Sequence, residues 1–150
     1  MAAPTTIRSG LNHIGLTVTD LDASVAFYVD VVGMTFLHRG YQTGGEWFDT
    51  LTHNSGAVID AANVGYEGFR LQLVKYLEGA GGAAETGHNR IGNLHLCIDV
   101  PDVEAKHAEI TASGRWNPTP IVTIAQTPHR SFYVEDPDGV PVEFLQRGDA

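Results

Sequence analysis

The stretch NHIGLTVTDLDA, residues 12–23, occurs a second time in altered form as LHLCIDVPDVEA, residues 94–105. In both copies a histidine opens a run of alternating apolar residues, and an aspartate follows that can begin a helix. His13 therefore matches His95, which lies 82 residues later. An internal repeat of this kind predicts two structural units of the same design.

A second repeated pair supports the same division of the chain. EGFRLQLVKY, residues 67–76, aligns with DGVPVEFLQR, residues 138–147, and this alignment matches Gln72 with Glu143. Each half therefore begins and ends with the same kind of strand, and a glycine-rich stretch at 79–87 separates the halves. We predict two copies of one βαβββ unit.

The predicted organisation is a single domain over residues 1–150. It comprises a first module at about 10–77, a linker at about 78–90 and a second module at about 91–147. Periodicity and capping residues predict strands at 11–18, 34–41, 46–52, 69–76, 93–100, 121–125, 130–134 and 141–146, with helices at 21–32 and 101–113. The stretch 53–64 is expected to form a loop or helical turn over the cleft.

Composition excludes several classes of function. The formal charge of −9 on 150 residues disfavours contact with nucleic acid or with an anionic membrane surface. A lone cysteine, Cys97, excludes an internal disulfide framework and a zinc site built from several cysteines. Residues 1–10 lack the apolar core of a signal peptide, and no apolar run is long enough to span a bilayer. We therefore expect a cytoplasmic protein.

Strand geometry gives the repeated polar residues a chemical meaning. Side chains alternate between the two faces of a strand, so these residues point away from the face that a helix covers. If the two sheets curl toward each other, two imidazoles, one amide and one carboxylate converge. Such nitrogen and oxygen donors suit Zn, Ni, Co, Mn or Fe. The predicted ligands of one divalent metal ion are His13, Gln72, His95 and Glu143.

The same residues lie in stretches that resemble the vicinal oxygen chelate superfamily, which includes glyoxalases, bleomycin resistance proteins and extradiol dioxygenases. The matching stretches are LNHIGLTVTDLDASVAFYVDVVGM at 11–34, NLHLCIDVPDVEA at 93–105 and RSFYVEDPDGVPVEFLQ at 130–146. The resemblance implies an α+β fold in which two tandem βαβββ modules form a half-open mixed β-barrel around a metal site, with the helices outside. It places the four metal ligands at the four residues above.

The ligand set resembles most closely those of methylmalonyl-CoA epimerase and glyoxalase I, because many glyoxalase-like proteins have Glu where this chain has Gln72. One carboxylate among three neutral ligands leaves a divalent site with a charge of about +1, which favours a substrate oxygen that becomes anionic. We therefore expect an isomerase, epimerase or lyase that removes a proton next to a carbonyl and stabilises the enolate. The resemblance to glyoxalase I implies Glu143 as the catalytic base, once it loosens from the metal.

Other residues are weaker candidates for contact with a small-molecule substrate. They have polar or aromatic side chains that we expect to lie near the predicted cleft: Glu46, Trp47, His53, His129, Arg130 and Tyr133. Glu46, Asp49 and His53 are also candidates for a second acid or base. Chains of this family with one module pair commonly dimerise, so we expect a homodimer, with or without exchange of modules.

Two alternative functions remain open. His13, His95 and Glu143 form a set of two histidines and one carboxylate, which suits non-haem Fe(II) and an extradiol ring-cleaving dioxygenase. The resemblance then gives Tyr133 a role beside the catecholate. The other alternative is a metal-free protein of the same fold that binds drugs or other ligands. All four ligand residues are present here, which argues against it.

Overall fold

The computed structural model describes residues 10–40 and 42–148, and each predicted module contributes one sheet. The first module comprises β1 (Ile14–Thr17), α1 (Leu21–Ala26), β2 (Thr35–Arg39), β3 (Thr43–Gly44), α2 (Glu46–Thr52), β4 (Val58–Tyr66) and β5 (Phe69–Glu78). The second comprises β6 (Leu96–Asp99), α3 (Val103–Ala112), β7 (Val122–Thr123), β8 (Arg130–Glu135) and β9 (Pro141–Gln146).

The strand order is the same in both sheets. The first sheet runs β1-β5-β4-β2, with β3 also paired to β4, and the second runs β6-β9-β8-β7. In each sheet the first and last strands of the module are parallel neighbours: Gly15 pairs with Gln72, and Cys97 pairs with Glu143. Both repeat alignments place these two pairs in equivalent positions. The predicted α+β class and the two βαβββ modules are thus confirmed.

Equivalent aspartates begin the two main helices. The Asp20 side chain accepts a hydrogen bond from the amide of Ala23, and the Asp102 side chain accepts one from Ala105, both at 2.9 Å. Such caps satisfy amides that have no partner within the helix. The first helix is regular only to Ala26 and then widens into a π-helical turn over Phe27–Val31. The predicted helix over 21–32 is therefore confirmed in place, although not in its regularity.

Two predictions in the first module are wrong. Residues 46–52 form α2 instead of a strand, and most of the stretch 53–64 belongs to the central strand β4 instead of a loop. A short segment with few apolar residues fits both periodicities, and here Phe48 packs its ring against Ile59 while Trp47 and Leu51 stay exposed. In β4, small and polar residues replace the usual β-branched ones, which conceals a buried strand.

Smaller differences concern element ends. The strand predicted at 34–41 ends at Arg39, and residue 41 lies outside the described residues, as do residues 1–9. The strands predicted at 11–18 and 93–100 are shorter, so His13 and His95 directly precede β1 and β6. No helix among the described residues is long and apolar enough to cross a membrane.

One hydrophobic core joins the two modules. It contains buried residues from the helix-facing sides of both sheets, such as Leu73 and Phe144, and the rings of Phe27 and Trp116 meet in it with centroids 4.7 Å apart. Because both sheets direct their helix-facing sides into this core, the opposite sides face away from it. We call the opposite sides the ligand faces, since alternation assigns His13 and Gln72 to the first and His95 and Glu143 to the second.

A buried polar contact fixes the two modules against each other. Asp136, in the turn between β8 and β9, accepts hydrogen bonds from the amides of Asp138 and Val140 and from the hydroxyl of Tyr28, the last at 3.0 Å. Burial raises the pKa of Asp136, and burial with the nearby Asp136 charge raises that of Tyr28. Gly139 has the positive φ of 84° that this predicted turn requires.

Replacing Tyr28 by Phe removes a hydroxyl that links the π-helical turn after α1 to this turn. We expect the free energy of unfolding to fall by about 2 kcal/mol, because the two amides bond to Oδ1 and the buried Oδ2 of Asp136 loses its hydroxyl donor. Urea denaturation measures the change. The matched control is Tyr66→Phe, which removes a partly exposed hydroxyl bonded to the Val32 carbonyl and should cost less. Equal losses in the two variants would contradict this account.

Candidate metal centre

In the second module, His95 and Glu143 approach each other at the distance expected for two ligands of one ion. His95 Nε2 lies 3.4 Å from Glu143 Oε2. Two donors bound at about 2.1 Å to a tetrahedral cation are about 3.4 Å apart. The parallel pairing of β6 with β9 creates this approach, because it sets Glu143 beside Cys97, two residues after His95. The residue pair therefore fits a metal ion as half of a site.

The Glu143 carboxylate is fixed by donors on the neighbouring strand β8. Ser131 donates to Oε1 at 2.6 Å, and Tyr133 donates to Oε2 at 2.9 Å. Burial on its own raises the pKa of Glu143, but the hydrogen bonds from Ser131, Tyr133 and Cys97 outweigh it, so the net pKa is lowered. The carboxylate is therefore ionised at neutral pH, as a metal ligand must be.

The two acidic neighbours of Glu143 keep their protons at neutral pH. Burial, followed by the Glu143 charge, raises the pKa of the Cys97 thiol to about 11. Burial and the hydrogen bond to Glu143 raise the pKa of Tyr133 to about 12. Cys97 is thus not a thiolate nucleophile, and Tyr133 acts as a hydrogen-bond donor.

The first module positions its two candidate ligands by an equivalent pairing. Gln72 is the partner of Gly15, two residues after His13. His13 Nδ1 lies 2.8 Å from the side-chain oxygen of Asn12, which also accepts from Arg70 at 3.0 Å. An amide oxygen only accepts, so Nδ1 carries the proton and Nε2 keeps its lone pair. This hydrogen bond leaves Nε2 as the ring nitrogen that could accept or bind a ligand.

The strand register places the four predicted ligands in two pairs, one on each ligand face. No three His, Cys, Asp or Glu side chains within residues 10–40 and 42–148 lie close enough to hold one ion, so His13 does not join His95 and Glu143 inside this chain. The shared core explains the separation, because the two ligand faces lie on opposite sides of it.

The predicted substrate contacts from residues 46–53 lie on α2 and its C-cap rather than on a strand. Glu46 and Trp47 are exposed, and His53 ends α2 with a φ of 53°. Phe48 anchors α2 on the ligand face of the first sheet through Ile59, with Val74 and Tyr76 packed alongside. Asp49 accepts from the amide of Gly56 and so closes the following loop. The helix thus borders the ligand face.

His129 and Arg130 have structural partners elsewhere. The Gly148 amide donates to His129 Nδ1 at 3.2 Å, and Arg130 forms an ion pair with Glu104 on α3. Arg130 therefore faces the helix and not the ligand face. Tyr133 is the predicted contact that the structure does place beside a candidate ligand.

Sequence reasoning missed two histidines near the ligand faces. His88 of the linker meets the ring of Tyr133 edge-on, with centroids 4.6 Å apart. His38 of β2 shares a hydrogen bond of 3.2 Å with Asn63 of β4. Neither position belongs to the repeat alignments, and only strand register or linker path could have revealed them.

Comparison with known proteins agrees with this architecture. Residues 10–144 match the family described as the Glyoxalase/Bleomycin resistance protein/Dioxygenase superfamily. A probable lactoylglutathione lyase from Vibrio cholerae is 31% identical over 147 residues, covering 92% of this chain and 91% of that protein. A glyoxalase family protein from Bacillus cereus superposes with a TM-score of 0.82 at 19% identity, covering 98% of this chain and 100% of that one.

A variant of the fosfomycin resistance protein FosX from Listeria monocytogenes has been solved with Mn(II) and a dihydroxypropylphosphonic acid. It matches with a TM-score of 0.64 at 20% identity, covering 95% of each chain. That neighbour of the same fold therefore binds a divalent metal ion. The match over residues 10–144 confirms the resemblance seen in the sequence: the chain belongs to the Glyoxalase/Bleomycin resistance protein/Dioxygenase superfamily.

Proposed function

We propose that this protein is a divalent-metal-dependent enzyme of the glyoxalase class that catalyses proton transfer at a carbon next to a carbonyl. The observation that carries the proposal is the pair of His95 and Glu143, whose donor atoms lie 3.4 Å apart with the carboxylate ionised. The 31% identity to a probable lactoylglutathione lyase supports the choice of a lyase or isomerase.

His13, Gln72, His95 and Glu143 would hold the ion. When bound, a divalent cation supplies Lewis-acid polarisation of a substrate carbonyl oxygen. Ser131 and Tyr133 orient Glu143, and Asn12 orients His13. The lowered pKa of Glu143 makes it a better ligand than base as long as its donors remain. Its predicted role as catalytic base therefore requires it to leave at least one of them.

We further propose that a second copy of the chain completes the site. His13 and Gln72 of one chain would then face His95 and Glu143 of the other. β1 and β6 are both sheet edges, and exposed Leu11 and Leu94 lie next to them. An apolar groove of about 680 Å³ also borders β6, with Tyr66 and Phe69 on its other wall. Open edges and exposed apolar side chains of this kind favour pairing with another chain.

Metal binding is the first test. Replacing Glu143 by Ala should lower Co(II) affinity by more than about 100-fold, since even outer hydrogen-bond partners of metal ligands contribute 10–100-fold. Calorimetric titration of purified protein measures it. The matched control is Glu135→Gln, which changes an exposed carboxylate on β8 and should leave the affinity unaltered. Unaltered affinity in the Glu143 variant would rule out its role as a ligand.

Complementation tests the shared site. His13→Ala and His95→Ala each damage every site in their own homodimers. In a mixed dimer, one shared site contains both changes and the other contains neither. Random mixing should therefore restore about a quarter of wild-type metal sites if the dimer exchanges partners freely. Sites built within one chain would give no restoration, because each would keep one damaged ligand.

Proton transfer itself is tested in deuterated water. Protein loaded with Ni(II), Co(II), Mn(II) or Zn(II) is offered the hemithioacetal of methylglyoxal and glutathione, together with simple 2-oxo acids. We expect metal-dependent exchange at the carbon next to the carbonyl, followed by mass spectrometry and NMR, and its loss in Glu143→Ala. Exchange that is absent with every metal, or that proceeds without metal, contradicts the proposal.

Ring-cleaving dioxygenase chemistry is the second candidate, and Tyr133 is the observation that favours it. Its protonated hydroxyl lies 2.9 Å from the carboxylate of Glu143, where it could donate to a bound catecholate. Oxygen uptake by the Fe(II)-loaded protein in the presence of catechols separates the two functions. Uptake that Tyr133→Phe abolishes would favour the dioxygenase.

A further inference from the structure

A polar row crosses the ligand face of the first sheet at the level of Gln72. In register, Gly15 of β1 pairs with Gln72 of β5, Gln72 pairs with Asn63 of β4, and Asn63 pairs with His38 of β2. Residues directly opposite each other on neighbouring strands point to the same face. Asn63 and His38 therefore share the face that carries the candidate ligand Gln72.

A β-bulge directs His38 to this face. Phe36 pairs with Val64 and His38 pairs with Asn63, so Leu37 is one extra residue in β2. Val64 belongs to the helix-facing core, and without the extra residue His38 would face the same side as Phe36. Bulges on edge strands are often found next to active sites, where they redirect a side chain. The bulge in β2 therefore turns the His38 side chain from the helix-facing side of the sheet to the ligand face.

A nearly buried amide then fixes the imidazole. Asn63 is 4% exposed, and its Nδ2 lies 3.2 Å from His38 Nε2. Since the amide nitrogen donates, Nε2 accepts and the proton of the neutral ring resides on Nδ1. Among the described residues, no hydrogen-bond acceptor is bonded to Nδ1. His38 is exposed, so this N–H is free to donate to a ligand on the same face.

The two modules use equivalent rows differently. In the second sheet, Tyr133 takes the place of Asn63 and donates to the candidate ligand Glu143. In the first sheet, Asn63 bonds to His38, on the side away from Gln72. In the second sheet, the row therefore orients the candidate ligand Glu143. In the first sheet, it instead holds an imidazole N–H two strands away from the candidate ligand Gln72.

The charge of the surroundings favours an oxygen acceptor on the ligand. On β4 and β5, the residues that flank Asn63 and Gln72 on this face are Ala61, Gly65, Arg70 and Val74, and none of these four is a carboxylate. These strand neighbours place no negative charge in the path of an anionic or carbonyl oxygen.

We propose that His38, held by Asn63, is a substrate-binding residue that selects molecules with a second oxygen acceptor at the end remote from the metal. This inference rests on the proposed metal-dependent function. Two strand spacings separate Gln72 from His38, so the two oxygens of the substrate lie within about 10 Å of each other. The substrate class is a small carbonyl compound with a distal carboxylate or carbonyl.

Hydroxamates test this inference by calorimetry on the Co(II)-loaded protein. Acetohydroxamate is too short to reach His38, so its affinity measures binding to the metal alone. Two longer hydroxamates of equal length end in a methyl or a carboxylate group. We expect the carboxylate to improve affinity by about 10-fold, as a hydrogen bond to a charged group does. His38→Phe should abolish this preference, and His38→Gln, which restores an N–H donor, should recover part of it. Acetohydroxamate should bind all variants equally.

The control is His107→Gln on α3, whose imidazole contacts the Thr119 carbonyl and Phe132 and should not influence the preference. Strong binding of acetohydroxamate without any preference for the carboxylate tail would overturn the role of His38 alone. A preference that persists in His38→Phe would also overturn it. Failure of Co(II) or acetohydroxamate to bind the wild-type protein would instead overturn the proposed metal-dependent function. The proposal of a substrate held at both the metal and His38 would then fail as well.

Discussion

Parallel pairing between the first and last strands of each module determines where every candidate ligand lies. The two strands are distant in sequence, but their register sets Gln72 beside Gly15 and Glu143 beside Cys97. A shift of one residue would turn both side chains into the hydrophobic core. The apolar residues on either side of Glu143, Val142 and Phe144, are fully buried, so the register is fixed by the same burial that stabilises the sheet.

The two modules have kept this framework and changed what surrounds it. Glu143 has donors on two sides, and its lowered pKa suits a permanent ligand. Gln72 is uncharged, and the row beside it leads to Asn63 and His38. A duplicated fold thus offers two similar positions whose neighbours are free to differ. In our proposal the second module provides the charged ligand and the first provides the contact that selects the substrate.

The core that joins the modules also constrains how a complete site can form. Tyr28, Asp136 and the rings around Phe27 hold the helix-facing sides together, so both ligand faces are turned away from this core. Three of the predicted ligands therefore do not meet within one chain. If a second copy completes the site, the outward orientation of the ligand faces has two effects. It lets the helix-facing sides pack into one core within the chain, and it lets the ligand faces meet between chains. The stability of the core then supports the site without any core residue touching it.

The sequence by itself determined the repeat, the fold class, the capping aspartates and the four candidate ligand positions, because each depends on local periodicity or on a short spacing. It failed at α2 and β4, where seven residues with one buried aromatic fit two periodicities and where small and polar residues conceal a central strand. Only the tertiary structure decided that Arg130 faces Glu104 and that the candidate ligands lie in two pairs. The tertiary structure also revealed His38, because a bulge is defined by pairing with another strand and leaves no pattern in the sequence of its own strand. Helices, strands and caps follow from residues that are neighbours in the sequence. The direction in which a side chain points, and which candidate ligands come together, follow from packing between segments far apart in the chain.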